Sequence, residues 1–151
     1  MNEQFMRQAL IEAQKSFEIN EVPIGCIVVK DDIIIGRGHN LKETMKDATS
    51  HAEIIALKEA QKTMDHWWLE DCDVYVTLEP CPMCAGAMLN SRIRKLYVGT
   101  RDHRMGATGS SIDLSNLEIF NHHFEVEFGI LESQCSELIS KFFKKLRLKK
   151  C

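Results

Sequence analysis

The sequence predicts an α/β fold, a sheet carrying helices on both faces. Three observations lead there. Two short β-rich runs, IGCIVVK and IIIGRGH, are joined only by Asp31-Asp32 and read as a hairpin. Three further β-rich runs, DVYVTL, RKLYVG and FEVEFG, are separated by helical or turn-like stretches. Apolar residues recur at helical spacing near both ends of the chain.

Taken in order, residues 2–18 place Phe5, Ala9, Leu10, Ala13 and Phe17 on one helix face, and NEVP breaks the pattern. The hairpin runs follow. LKETMKDATS is polar and irregular and reads as a loop, with Thr49 or Ser50 expected to cap a helix from about 51 to 63. In DVYVTL, Val74, Val76 and Leu78 face one way and Tyr75 and Thr77 the other; the strand stops at Glu79-Pro80. CPMCAGAMLNS reads as a helix, then RKLYVG and FEVEFG as the fourth and fifth strands. Between those two lie a Gly-containing loop, RDHRMGATGS, and a poorly defined stretch. ILESQCSELISKFFKKLRLKK closes the chain as an amphipathic helix, with Ile130, Leu131, Cys135, Leu138, Ile139, Phe142 and Leu146 on one stripe. There is no repeat, low-complexity tract or linker, so residues 1–151 are expected to form a single domain.

The hydrophobic and charged fractions, 44% and 27%, are those of a globular protein. No apolar run approaches the roughly 20 residues that span a bilayer. MNEQFMRQAL has no apolar secretory core, so a cytoplasmic location without a membrane partner is expected. The six cysteines are then expected as free thiols rather than a disulfide framework. Cys26, Cys72, Cys135 and Cys151 read as small core residues or bystanders. The net charge of −3 is unevenly placed. The last eleven residues hold six of the 19 Lys and Arg, leaving 13 basic against 22 acidic residues in the first 140. A basic end on an acidic body suits a polyanionic partner; it also suits an ordinary helix C-terminus.

The chemistry concentrates in two short segments. Cys81 and Cys84 are three apart, so two thiolates on one helix face can grip a tetrahedral zinc. The partial positive charge of a helix N-terminus favours the thiolate form. A redox pair shares the Cys-x-x-Cys spacing but leaves His51 and Glu53 without a role. The chain has no second Cys-x-x-Cys and no His-x₃-His. His51, Cys81 and Cys84 make three ligands, and a fourth position left to water is the pattern of a catalytic zinc. Glu53, two residues on, points away from His51 around the helix and would stand beside that water as a proton carrier. Alone, His51 could be a cap or surface residue, and Glu53 an acidic residue that suits a first turn.

His51-Ala-Glu53 followed by Pro80-Cys81-Pro82-Met83-Cys84 resembles the zinc-dependent nucleoside and nucleobase deaminases, the cytidine/deoxycytidylate deaminase superfamily. Within it the chain is similar to the bacterial tRNA adenosine deaminases over nearly its whole length. EVPIG at 21–25, GHN at 38–40, HAEIIAL at 51–57, CAGAM at 84–88, SRI at 91–93, the RDHRMGATGS loop and the FFKKLR tail carry that likeness. The departures are modest. Ala48 and Ser50 stand where proline and alanine are expected, Trp67-Trp68 replaces a more common single aromatic, and His39 replaces the tryptophan of some relatives.

The resemblance implies a cytidine-deaminase-like three-layer α/β/α sandwich with a five-stranded mixed sheet, one zinc per subunit and a homodimer. It implies hydrolytic deamination of adenosine to inosine at the wobble position of a tRNA anticodon, with Glu53 catalytic and His51, Cys81 and Cys84 on the metal. It further implies that Asn40 bonds the purine edge, Asp102 the sugar of a neighbouring nucleotide, and Arg147, Lys144 and Lys145 the phosphates, while Phe143 lines the nucleotide pocket. Arg92, Arg94, Arg101 and Arg104 would extend that surface. Asn40 also reads as a turn residue and Asp102 as part of a surface loop. Two other functions share the zinc motifs: a deaminase of free guanine- or cytosine-type substrates, and a non-catalytic zinc-binding module. The basic tail and the RDHRMGATGS loop favour RNA; Glu53 and the absent fourth ligand favour catalysis.

Overall fold

The computed structural model describes residues 2–149, so Lys150 of the basic tail and Cys151 lie outside the described residues. Ten elements run in the order α1 (Asn2–Glu18), β1 (Gly25–Lys30), β2 (Ile33–His39), α2 (Lys42–Met45), α3 (Ala52–Met64), β3 (Asp73–Leu78), α4 (Pro82–Ser91), β4 (Lys95–Thr100), β5 (Glu125–Phe128) and α5 (Glu132–Lys149). The five strands form one mixed sheet in the order β2-β1-β3-β4-β5. β1 runs antiparallel to β2 and β3, and β3, β4 and β5 run parallel.

Alternation along the central strands explains the layers. Cys26 and Val28, Val74 and Val76, and Leu96 and Val98 face one side, where α3 and α4 cover them with Ala52, Ala56, Ala60 and Met88. Ile27 and Val29, Tyr75 and Tyr97 face the other side, where α1 and α5 bring Met6, Ala9 and Cys135. Tyr75 and Tyr97 stack at 4.4 Å between ring centroids with planes 5° apart. A sheet buried on both faces needs apolar residues at odd and even positions alike, as VYV and LYV supply. This is the three-layer α/β/α arrangement with a five-stranded mixed sheet that the sequence implies.

The hairpin turn is tight. Asp31 and Asp32 both have positive φ, 50° and 62°, the backbone of a two-residue loop whose twist matches its strands. Two expectations change further on. The 41–50 segment is not wholly loop: Lys42–Met45 form one helical turn, held from a distance by buried Glu21, which accepts the amides of Glu43 at 3.1 Å and Thr44 at 2.6 Å. Nor does Thr49 or Ser50 cap α3. Their hydroxyls donate to Asp47 at 2.7 and 2.9 Å, and His51 takes the N-cap position with no side-chain capping bond.

Gly36 and Gly38 let α3 lie directly on β2. A Cβ on Gly38 would run into the Ala52 carbonyl and meet the Ala56 amide at 2.7 Å; one on Gly36 would strike the Ala56 carbonyl. Backbone atoms cannot step aside as a side chain can, so Gly38→Ala is expected to destabilise the protein by about 1–3 kcal/mol. A urea midpoint equal to wild type would show that α3 is free to shift.

Candidate active site

Several chain ends meet at one edge of the sheet. β3 ends at Leu78 and β4 at Thr100, paired with each other. The start of β1 lies beside them, with the Gly25 amide donating to the Thr77 hydroxyl at 3.1 Å, and His39 at the end of β2 pairs with Gly25. A Leu41 amide to Ser50 carbonyl bond of 3.1 Å then brings the start of α3 to the same edge. Loops leaving the C-terminal ends of parallel strands are where α/β sheets place their sites.

His51 is the N-cap of α3, and Cys81 is the N-cap of α4, with Pro82 opening that helix and Cys84 in its first turn. Both cap residues have extended backbones, which turn their side chains towards each other across the edge. His51 Nδ1 lies 3.7 Å from Cys81 Sγ and 3.6 Å from Cys84 Sγ. All three donor atoms fall within 4.8 Å of one another, the one such group among the described residues.

This set fits zinc. Bond lengths of about 2.0–2.1 Å to nitrogen and 2.3 Å to sulfur in a tetrahedron separate the two donors by about 3.6 Å, the spacing seen here. The thiols themselves call for a cation. Hydrogen bonding from Cys84, aided by His51, brings the Cys81 thiol down to about 4. The same neighbour, together with burial, pushes Cys84 far up, because two adjacent thiolates repel unless a positive ion shares them. Hydrogen bonding to Cys81 raises His51. A redox pair needs neither the imidazole nor the carboxylate.

Glu53 sits in the first turn of α3 and is only 3% exposed. Its Oε1 is buried with no hydrogen-bond partner among the described residues. Burial chiefly, with the Cys81 thiolate adding to it against the Glu53 amide and His51, raises its pKa to about 7. A carboxyl poised there can take and return a proton near neutral pH.

The other cysteines behave as core residues. Cys26, Cys72 and Cys135 are free and at most 1% exposed. Burial pushes Cys72 up to about 11 and Cys135 up to about 12, and raises Cys26 as well.

The expected RNA contacts are placed less uniformly. Asn40 is buried at the end of β2, near the start of α3. Its Nδ2 donates to the Val22 carbonyl at 3.2 Å and its Oδ1 accepts the Lys42 amide at 3.1 Å, which leaves one amide hydrogen and one lone pair. Asp102 is half-buried in the loop after β4, where its Oδ1 accepts the amides of Arg104 and Met105 at 3.0 and 3.1 Å. Phe143 and Arg147 are exposed on α5, which packs against β4, α1 and β3 on the face opposite α3 and α4. The structure therefore brings His51, Glu53, Cys81 and Cys84 together and joins Phe143 and Arg147 to none of them. Arg94 is paired with Asp73 at 2.9 Å, and Arg101 lies over the Phe128 ring at 3.9 Å, donating also to Ser110.

Sequence reading passed over Glu79, taken only as the end of a strand. It is 3% exposed and accepts hydrogen bonds from Asp102, Thr108 and Ser110. The available signal was an acidic residue ending an apolar strand directly before Pro80-Cys81.

Comparison with known proteins agrees with this geometry. The profile of the MafB19-like deaminase family matches residues 1–147. The tRNA-specific adenosine deaminase of Bacillus subtilis (strain 168) is 46% identical over 149 residues, covering 99% of this chain and 92% of that one. The protein of the same name from Aquifex aeolicus (strain VF5) is 45% identical, covering 96% and 95%. A solved structure from work on A-to-I editing by tRNA:A34 deaminases at the wobble position of transfer RNA superposes with a TM-score of 0.86. It is 39% identical and covers 89% of this chain and 98% of that one.

Proposed function

As a member of the MafB19-like deaminase family, and within it of the tRNA-specific adenosine deaminases, this chain is a deaminase, and we propose that it hydrolyses adenosine to inosine at the wobble position of a tRNA anticodon with zinc as its metal. The observation that carries the reading is a buried carboxyl oxygen without a partner, Glu53 Oε1, beside a ready-made His51, Cys81 and Cys84 cradle.

Zinc held by His51, Cys81 and Cys84 would supply Lewis acidity, which lowers the pKa of water towards neutrality. The protein's own residues do the rest. Glu53 takes one proton from the water that attacks C6 and delivers it to N1 of the ring, then takes the proton of the new C6 hydroxyl and delivers it to the amine, so that the C6–N6 bond breaks as the carbonyl forms. Water is consumed, ammonia leaves and inosine remains. Burial of Glu53 keeps bulk water from competing for that proton. The spare hydrogen and lone pair of Asn40 suit the purine edge, and the second oxygen of Asp102 the sugar of a neighbouring nucleotide. Phe143 and Arg147, with Lys144 and Lys145, form an exposed aromatic and basic face for the stem-loop.

The reading places residues 1–151 in one deaminase domain that works in the cytoplasm as a homodimer. No described helix is long and apolar enough to cross a membrane. Trp67 and Phe120, exposed beside Leu89 on one groove, are apolar surface that such a pairing would cover.

A deamination assay on a panel of anticodon stem-loops tests the function. Inosine at the wobble adenosine is the expected product. Ammonia from free guanine, cytosine or adenosine with an inert stem-loop would replace this reading by a free-base or nucleoside deaminase. Bound zinc without any turnover would reduce the protein to a zinc-binding module.

If the basic face meets phosphates, the logarithm of stem-loop affinity falls linearly with the logarithm of salt concentration. Arg147→Ala should weaken binding to all loops alike and lower that slope by about 1. Affinity that ignores salt would remove the α5 face from the binding surface.

A further inference from the structure

The loop after β4, residues 101–112, is folded around a single buried side chain. Glu79 Oε1 accepts the Asp102 amide at 3.1 Å and the Ser110 hydroxyl. Glu79 Oε2 accepts the amides of Thr108 at 3.1 Å and Ser110 at 3.0 Å. All four acceptor positions of the carboxylate are thus used, each by this loop. None of the ion pairs among the described residues involves Glu79.

Two backbone bonds reinforce the wrap. The Glu79 amide donates to the Thr100 carbonyl at 2.9 Å, and the Ala107 amide to the Pro80 carbonyl at 2.9 Å. Gly106 is required by the same packing, since a Cβ there would strike the Glu79 carboxyl carbon and the Asp102 carbonyl. Glu79 stands two residues before Cys81. One side chain therefore joins the segment that delivers a metal ligand to the loop that presents Asp102.

The geometry points to Glu79 as a positioning residue that locks the 101–112 loop to the Cys81 segment, so that RNA contact and chemistry share one rigid frame. This rests on the stem-loop deaminase reading above. Glu79 touches neither the reacting atoms nor the ligands; it acts through the loop. Gln cannot replace it. Whichever way its amide is turned, an NH₂ faces at least one backbone N–H, so a bond becomes a clash of donors.

The test is Glu79→Gln, read by amide hydrogen exchange, zinc content and steady-state kinetics on an anticodon stem-loop. The amides of Asp102, Thr108 and Ser110 should exchange roughly tenfold faster or more, with zinc retained. KM for the stem-loop should rise by roughly ten- to a hundredfold, as misplacement of a binding group does, with a much smaller change in kcat. Ser110→Ala removes one hydroxyl bond and keeps the carboxylate; it should shift exchange and KM in the same direction by less, and it carries the test if Glu79→Gln does not fold. Unchanged exchange and KM would overturn the assignment. So would loss of zinc and kcat at constant KM, which would make Glu79 a support of Cys81 alone. If wild-type protein failed to deaminate stem-loops, the functional reading would fall, while the exchange data would still decide whether Glu79 holds the loop.

Discussion

Glu53→Gln is expected to remove deamination while zinc stays bound. Gln keeps the size and shape of Glu53, and neither side chain is among the three donors that converge on the cradle. What the substitution takes away is a proton acceptor in the first turn of α3, with its Oε1 facing no other protein donor. General acid–base groups contribute about 10²–10⁴ in rate. In the proposed mechanism Glu53 would serve attack, ring protonation and departure, so the loss should lie at the upper end of that range. A neutral amide is also easier to bury than a carboxylate, so the fold should not suffer. Single-turnover rates with metal analysis on the same preparation check this. A variant within tenfold of wild type would mean that another group carries the proton.

Cys84→Ser should release the metal and with it both activity and stability. Cys84 is fully buried in the first turn of α4, and two donors, His51 Nδ1 and Cys81 Sγ, would remain. A hydroxyl is a far poorer zinc ligand than a thiolate, and binding energy for a folded-state metal is folding energy. Each kcal/mol lost lowers the thermal midpoint by roughly 2–4 °C for a chain of this size. Chelator treatment of wild type should reproduce the drop, and added zinc should reverse it there but not in the variant. A variant that kept stoichiometric zinc and turnover would dismiss Cys84 as a ligand.

The sheet was legible because its signal is local. The alternation in DVYVTL announces a strand, and an Asp-Asp pair between two β-rich runs announces a hairpin. The four residues that meet at the cradle were legible because spacing puts Cys81 and Cys84 on one face, and because the pairing of that motif with His51-Ala-Glu53 carries the family resemblance; alone, His51 and Glu53 would have read as a cap and a first-turn acid. What failed to show depends on partners distant in sequence. Glu21 builds the single turn of α2 from more than twenty residues away, and Glu79 gathers amides 23 to 31 residues ahead of it. The helix start at Thr49 or Ser50 was misplaced because both hydroxyls were claimed by Asp47, and the cap position went to His51 instead. The stripe on α5 found Cys135 and Phe142, which are buried, but it also took in Leu146, which is exposed, and it did not show which layer the helix joins, so the separation of Phe143 and Arg147 from the cradle could not be foreseen.

The two helices that frame the cradle begin on His51 and Cys81, and neither receives a capping bond from its own side chain. A capping side chain is worth about 1 kcal/mol to a helix. Both starts forgo it, and helix ends are the first places to fray. A cation held by His51, Cys81 and Cys84 would tie the two helix starts to each other and so stand in for both missing caps.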